Sequence, residues 1–88
     1  LRFNLGNLVN MHIVLAKVDE VLFEGEAHSL TVPGADGEMT ILGRHMPLIT
    51  TLKQGEVRVR MAANAEPQVF PIQGGILEVR ADGATVIL

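Results

Sequence analysis

Three imidazoles, His12, His28 and His45, are the first groups to test for chemistry in an 88-residue chain that has no Cys. Intervals of 16 and 17 residues separate them, whereas compact metal motifs place their ligands a few positions apart. The spacing therefore predicts unrelated structural or surface roles and no metal site. The lack of Cys excludes disulfides and thiolate ligands. Ser29, the only serine, lies in an alternating segment without the Gly-x-Ser-x-Gly elbow that would expose a nucleophile. Gly34-Ala35-Asp36-Gly37 has the outline of a phosphate cradle. It lacks the following Lys and helix, and Asp36 and Glu38 would repel a phosphate. Asp19-Glu20 and Glu24/Glu26 sit in polar, turn-like surroundings where ordinary solvation accounts for them. The residues thus predict no catalytic group and no cofactor.

The same glycine-rich run reads better as shaped loops. Pro33 stiffens its entry, and Gly34 and Gly37 can adopt positive φ, so an exposed loop would project Asp36 and Glu38. A second corner, Gly43-Arg44-His45-Met46-Pro47, combines hydrogen-bond donors with the adaptable apolar contacts of Met46, Leu48 and Ile49. That mixture suits the centre of a protein interface.

The segments that hold these loops have the period of β-strands. Residues 26–32 alternate, with His28, Leu30 and Val32 on one face and Ala27, Ser29 and Thr31 on the other. Val57, Val59 and Met61 alternate with Arg58 and Arg60, which places both arginines on the solvated face. Asn64-Ala65-Glu66-Pro67 predicts a hairpin loop, with residues 68–72 as its return strand. Gln73-Gly74-Gly75 punctuates the chain before residues 76–80, where Leu77 and Val79 alternate with Glu78 and Arg80. Asp82-Gly83 predicts a type I′ turn into a last strand at residues 85–88. No window shows a sustained helical period. The expected fold is all-β, a flattened antiparallel sandwich or barrel of about ten short strands. It occupies residues 11–88, behind a poorly defined lead-in at residues 1–10.

Composition narrows the function classes. The net charge is −3 with seven basic residues scattered singly, so no clustered positive field is available for nucleic acid. No stretch approaches the roughly 20 apolar residues needed to cross a bilayer as a helix. Hydrophobic residues make up 48% and charged residues 19% of the chain, a surface suited to a partner.

Four motifs in fixed order carry a likeness: Phe23-Glu24-Gly25-Glu26; Val32-Pro33-Gly34-Ala35-Asp36-Gly37-Glu38; His45-Met46-Pro47-Leu48-Ile49-Thr50-Thr51-Leu52-Lys53-Gln54-Gly55; and Gly74-Gly75-Ile76-Leu77-Glu78-Val79. Together they resemble the amino-terminal domain of the epsilon subunit of F-type ATP synthase, called delta in mitochondria. The resemblance implies a ten-stranded β-sandwich at the foot of the central stalk, with the family's carboxy-terminal helical hairpin absent here. It implies a non-catalytic subunit that couples rotation of the proton-driven c-ring to the gamma subunit and the catalytic head. The subunit would lie peripherally on the cytoplasmic face of the bacterial inner membrane or the equivalent side in organelles. By position, Gly37, Glu38, Met39, Thr40, Ile41 and Leu42 match the c-ring contact. His45, Met46, Pro47, Leu48, Thr50, Gly75 and Leu77 match the gamma contact. The alternative reading is an unrelated small β-domain that binds a peptide or ligand. An unusual metal-dependent β-barrel is the enzyme alternative.

Overall fold

The computed structural model describes residues 10–43 and 46–88. Nine strands follow one another in these residues: β1 (Met11–Lys17), β2 (Glu20–Ala27), β3 (Ser29–Gly34), β4 (Gly37–Leu42), β5 (Leu48–Leu52), β6 (Gly55–Arg60), β7 (Gln68–Ile72), β8 (Gly75–Arg80) and β9 (Gly83–Ile87). They form a single hydrogen-bonded sheet of order β2-β1-β9-β8-β5-β3-β6-β7, with β4 added to β3. The sheet is pinched at one place. β3 and β5 pair only at Gly34 and Leu52, supported by the Lys53 N–H to the Pro33 carbonyl at 2.9 Å and the Ala35 N–H to the Thr51 carbonyl at 3.0 Å. The pinch divides the sheet into β2-β1-β9-β8-β5 and β4-β3-β6-β7, which curl toward each other. At the far side, Phe23 of β2 meets Phe70 of β7 edge to face, with centroids 6.2 Å apart and planes at 65°. This contact draws the two ends of the strand order together into a flattened half-barrel.

Period-two patterning fills the space between the layers. Ile13 and Leu15 of β1, Leu30 and Val32 of β3, Val57 and Val59 of β6, Leu77 and Val79 of β8, and Ala84 and Val86 of β9 all turn inward and are buried. Full burial of each Val, Ile or Leu side chain stabilises by about 1.5–3 kcal/mol. The expected alternation holds in residues 57–60 and 76–80, as does the hairpin from β6 to β7 around residues 64–67, but Met61, expected on the face of Val57 and Val59, lies past the end of β6 and is exposed.

Other expectations change. Residues 26–32 do not form one strand: β2 ends at Ala27 and β3 begins at Ser29. His28 marks the passage from one half of the sheet to the other, and its N–H donates to the Arg60 carbonyl at 2.8 Å. Ala27, Ser29 and Leu30 are all buried, with His28 half-buried among them, because a strand that changes layers no longer keeps one face to solvent. The last hairpin turns at Ala81-Asp82, one residue earlier than predicted, with Arg80 paired to Gly83. Gly83 is a strand residue whose Cβ would lie 2.2 Å from the His12 carbonyl oxygen, so its smallness serves the close approach of β9 to β1. That pairing is parallel, unlike every other pairing in the sheet. Of the two glycines expected in an exposed loop, Gly37 has positive φ (139°). Gly34 is buried instead, where a Cβ would meet the Gly37 carbonyl oxygen at 2.8 Å. The lead-in at residues 1–9 lies outside the described residues.

Candidate functional site

The β3–β4 hairpin presents the first group of candidate contacts. Ala35 and Asp36 form its exposed two-residue tip, closed by the pairing of Gly34 with Gly37. Along β4, Glu38, Thr40 and Leu42 face outward, whereas Met39 packs against the core and Ile41 is 0% exposed. Ile41 therefore has no surface to offer a partner, because strand alternation sends every second side chain inward. Glu38 is less independent than a loop charge would be. Its carboxylate accepts a hydrogen bond from Nη2 of Arg58 on β6, and Arg58 Nη1 lies 3.6 Å from Glu56. Pro33, Glu38, Lys53, Glu56 and Arg58 line a shallow depression of about 280 Å³. Beside it, the Thr31 and Thr40 hydroxyls share a hydrogen bond of 3.0 Å. The result is a polar surface of paired charges whose shape is held by β3, β4 and β6.

The second group borders β5 and β8. His45, with Arg44, falls outside the described residues. Met46 and Pro47 are exposed, Leu48 is half-buried against the core and Thr50 is half-buried opposite Leu77. Leu77 itself is 0% exposed, so it supports this surface from beneath and does not supply it. Gly75 allows close packing: a Cβ there would lie 2.5 Å from the Ile87 carbonyl oxygen. Pro47, Leu48, Ile49, Val79, Arg80 and Glu78 line most of an open depression of about 470 Å³.

Sequence reading missed the surface that continues from this corner. Cross-strand pairs connect Thr51 to Ile76, Ile76 to Ile87, Ile87 to Ala16 and Ala16 to Val21. Paired positions share one side of a sheet, so these residues form a row across β5, β8, β9, β1 and β2. Val21 is 58%, Ile76 49% and Ile87 50% exposed, and Ile49 beside the row is 73% exposed. A line of aliphatic side chains on an outer sheet face is a surface for association. Charged groups at its margin, His12, Glu24, Glu26, Glu78 and Arg80, lie on the same side of their strands by register. The available signal was the near-continuous apolar character of residues 13–16 and 84–88, which means that both faces of those strands are apolar.

The arrangement can recognise shape and apolar surface. Among the described residues, no group of three or more His, Cys, Asp or Glu side chains is arranged to hold a metal ion. No helix among them is long and apolar enough to cross a membrane.

Comparison with known proteins places these surfaces in context. Residues 10–88 match the family described as the ATP synthase delta/epsilon chain, β-sandwich domain. The ATP synthase epsilon chain of Herminiimonas arsenicoxydans is 42% identical over 77 residues, which cover 88% of this chain and 55% of that protein. The chain thus spans about half the length of that relative. Among solved structures, the mitochondrial ATP synthase of Euglena gracilis contains a chain that superposes with a TM-score of 0.81 at 20% identity, over 90% of this chain and 50% of that one. The central stalk and c-ring structure of the Tetrahymena thermophila mitochondrial ATP synthase contains another, with a TM-score of 0.73 at 16% identity, over 88% and 61% of the two chains. At these identities the structural likeness is one of fold. The match across nearly the whole chain, joined to the curled sheet described above, shows that the protein belongs to the ATP synthase delta/epsilon family and that residues 10–88 are its β-sandwich domain.

Proposed function

We propose that this domain works without catalysis of its own, as the part of the ATP synthase central stalk that fastens the gamma subunit to the c-ring. Membership of the β-sandwich family carries the reading, and the paired charges and apolar row provide surfaces of the required kind. The chain would lie peripherally at the membrane, on the side of the catalytic head, held there by its partners. Met46, Pro47, Leu48 and Thr50 belong to the gamma-facing surface, with Gly75 at its border, and His45 is assigned to the same contact by its place in the family motif alone. Ile49, Ile76 and Ile87 continue that surface on the opposite, outward side of β5, β8 and β9. Gly37, Glu38, Met39, Thr40 and Leu42 belong to the c-ring-facing hairpin, with Ile41 holding that hairpin to the core.

A rigid sheet suits this work because torque must pass through contacts whose relative positions do not yield. The two proposed surfaces lie on different parts of the half-barrel, and the pinch between β3 and β5 joins those parts through backbone hydrogen bonds. Reconstitution with purified gamma subunit and c-ring tests the proposal. The chain is expected to enter a stoichiometric complex and to restore ion-driven ATP synthesis to particles lacking their epsilon subunit. Failure to bind either partner, with the sheet intact by circular dichroism, would overturn the reading.

A further inference from the structure

His12 stands between two carboxylates on the outer face of β1 and β2. Glu26 is its direct cross-strand partner, and Glu24 occupies the next position on the same side. The two contacts use different ring atoms: Nδ1 lies 3.1 Å from Glu26 Oε2, and Nε2 lies 3.1 Å from Glu24 Oε2. An ionised carboxylate only accepts hydrogen bonds, whereas a neutral imidazole has a single N–H. A neutral ring would therefore set one lone pair against a carboxylate. Only the imidazolium donates to both.

The geometry points to a proton-operated clasp in which doubly protonated His12 ties the edge strand β2 to β1, and loss of one ring proton releases one side of the tie. What is held is the terminal strand of the described sheet order. Among the described residues β2 pairs only with β1, and it carries Val21 at the end of the apolar row and Phe23 at the contact with Phe70. The clasp thus acts where the half-barrel closes, independently of which partner covers the outer face.

Among the described residues, the other neighbours leave His12 to these two acids. On β9, the residues opposite and next to it on the same side are Gly83 and Thr85, which do not titrate. The Asp82 carbonyl accepts the His12 backbone N–H at 3.3 Å, while the Asp82 carboxylate lies 3.6 Å from Arg80 Nε. On β8, Arg80 also approaches Glu78 at 3.4 Å. Hydrogen bonds to Glu24 and then Glu26 raise the His12 pKa above its ordinary value of 6.5. The sign follows from linkage: a raised pKa in the folded state makes the contribution complete below 6.5 and removes it as pH rises through the folded value. With the His12 side chain 44% exposed, solvent and salt keep the effect local.

Imidazole NMR titration and amide hydrogen exchange across pH test the clasp in the intact chain. The His12 midpoint is expected above 6.5, falling toward that value in Glu24→Gln and in Glu26→Gln. Protection of the β2 amides relative to those of β9 should fall roughly two- to fivefold as pH crosses the midpoint. In His12→Gln that step should vanish, with the sheet retained because the side chain lies on the outer face. A midpoint at or below 6.5, a midpoint unmoved by both Gln substitutions, or the same pH profile of protection in wild type and His12→Gln would each overturn the clasp.

Discussion

At the scale of single residues, two glycines in paired strands have opposite meanings. A methyl group at Gly83 would stand 2.2 Å from the His12 carbonyl oxygen, and that oxygen belongs to backbone held in a parallel ladder. Gly83→Ala must force β9 away from β1. Urea denaturation is expected to show a loss of about 2–3 kcal/mol. Gly25→Ala provides the contrast, since its Cβ would meet nothing nearer than Phe23 Cζ at 3.8 Å. Reduced freedom of the unfolded chain should then leave stability equal or raised by up to about 1 kcal/mol. Glu38 illustrates how a charge can serve both fold and function. Glu38→Lys would place a cation against Arg58 and is expected to lower stability by about 0.5–1 kcal/mol in thermal denaturation. Adding Arg58→Glu should restore the pair and recover part of the loss, the remainder reflecting the new carboxylate beside Glu56. If the hairpin faces the c-ring as proposed, ATP synthesis in reconstituted particles will remain impaired in the exchanged pair.

At the scale of elements, closure of the half-barrel rests on strands distant in sequence. β2 and β7 share no ladder, yet Phe23 and Phe70 bring their inward faces together. The edge-to-face geometry should add about 0.5–1.5 kcal/mol beyond area burial. A double-mutant cycle with Phe23→Leu and Phe70→Leu is expected to show that coupling in denaturant titrations. Additive losses would mean that each ring packs only against its own layer. The pinch at Gly34 and Leu52 is the opposite kind of join, made by main-chain hydrogen bonds and by glycines small enough to let the loops meet. A Cβ on Gly55 would lie 2.9 Å from Pro33 Cβ.

At the scale of the whole molecule, the two outer faces differ in character. β5, β8, β9, β1 and β2 present the aliphatic row, whereas β4, β3 and β6 present paired charges and threonines. Ile76→Asp is expected to weaken binding to the gamma subunit by tenfold or more, as about 1.4 kcal/mol or greater from burying an unpaired carboxylate. Val69→Asp places the same charge at a similarly exposed position, 45% against 49%, but on β7 outside the row. It should change gamma affinity little in calorimetric titration. Equal losses from the two variants would remove the row from the gamma surface.

The amino-acid sequence alone determined the all-β class, the alternating strands at residues 57–60 and 76–80, the hairpin at residues 64–67 and the family likeness. The first three rest on nearest-neighbour pattern, since side chains in a strand alternate faces and Asn, Gly and Pro mark where a chain reverses; the likeness rests on the four ordered motifs. Tertiary structure decided what depends on where remote strands meet. It split residues 26–32 at His28 because the chain changes layers there, and it set the last turn at Ala81-Asp82 because Gly83 must lie against His12. It also turned Ile41 and Leu77 inward, drew Glu38 to Arg58, and aligned Ile76, Ile87, Ala16 and Val21 into one row. Each residue's local face is written in its neighbours. The register that joins those faces into a surface comes from packing between segments tens of residues apart, because a shift of one position would send every side chain to the other side of the sheet.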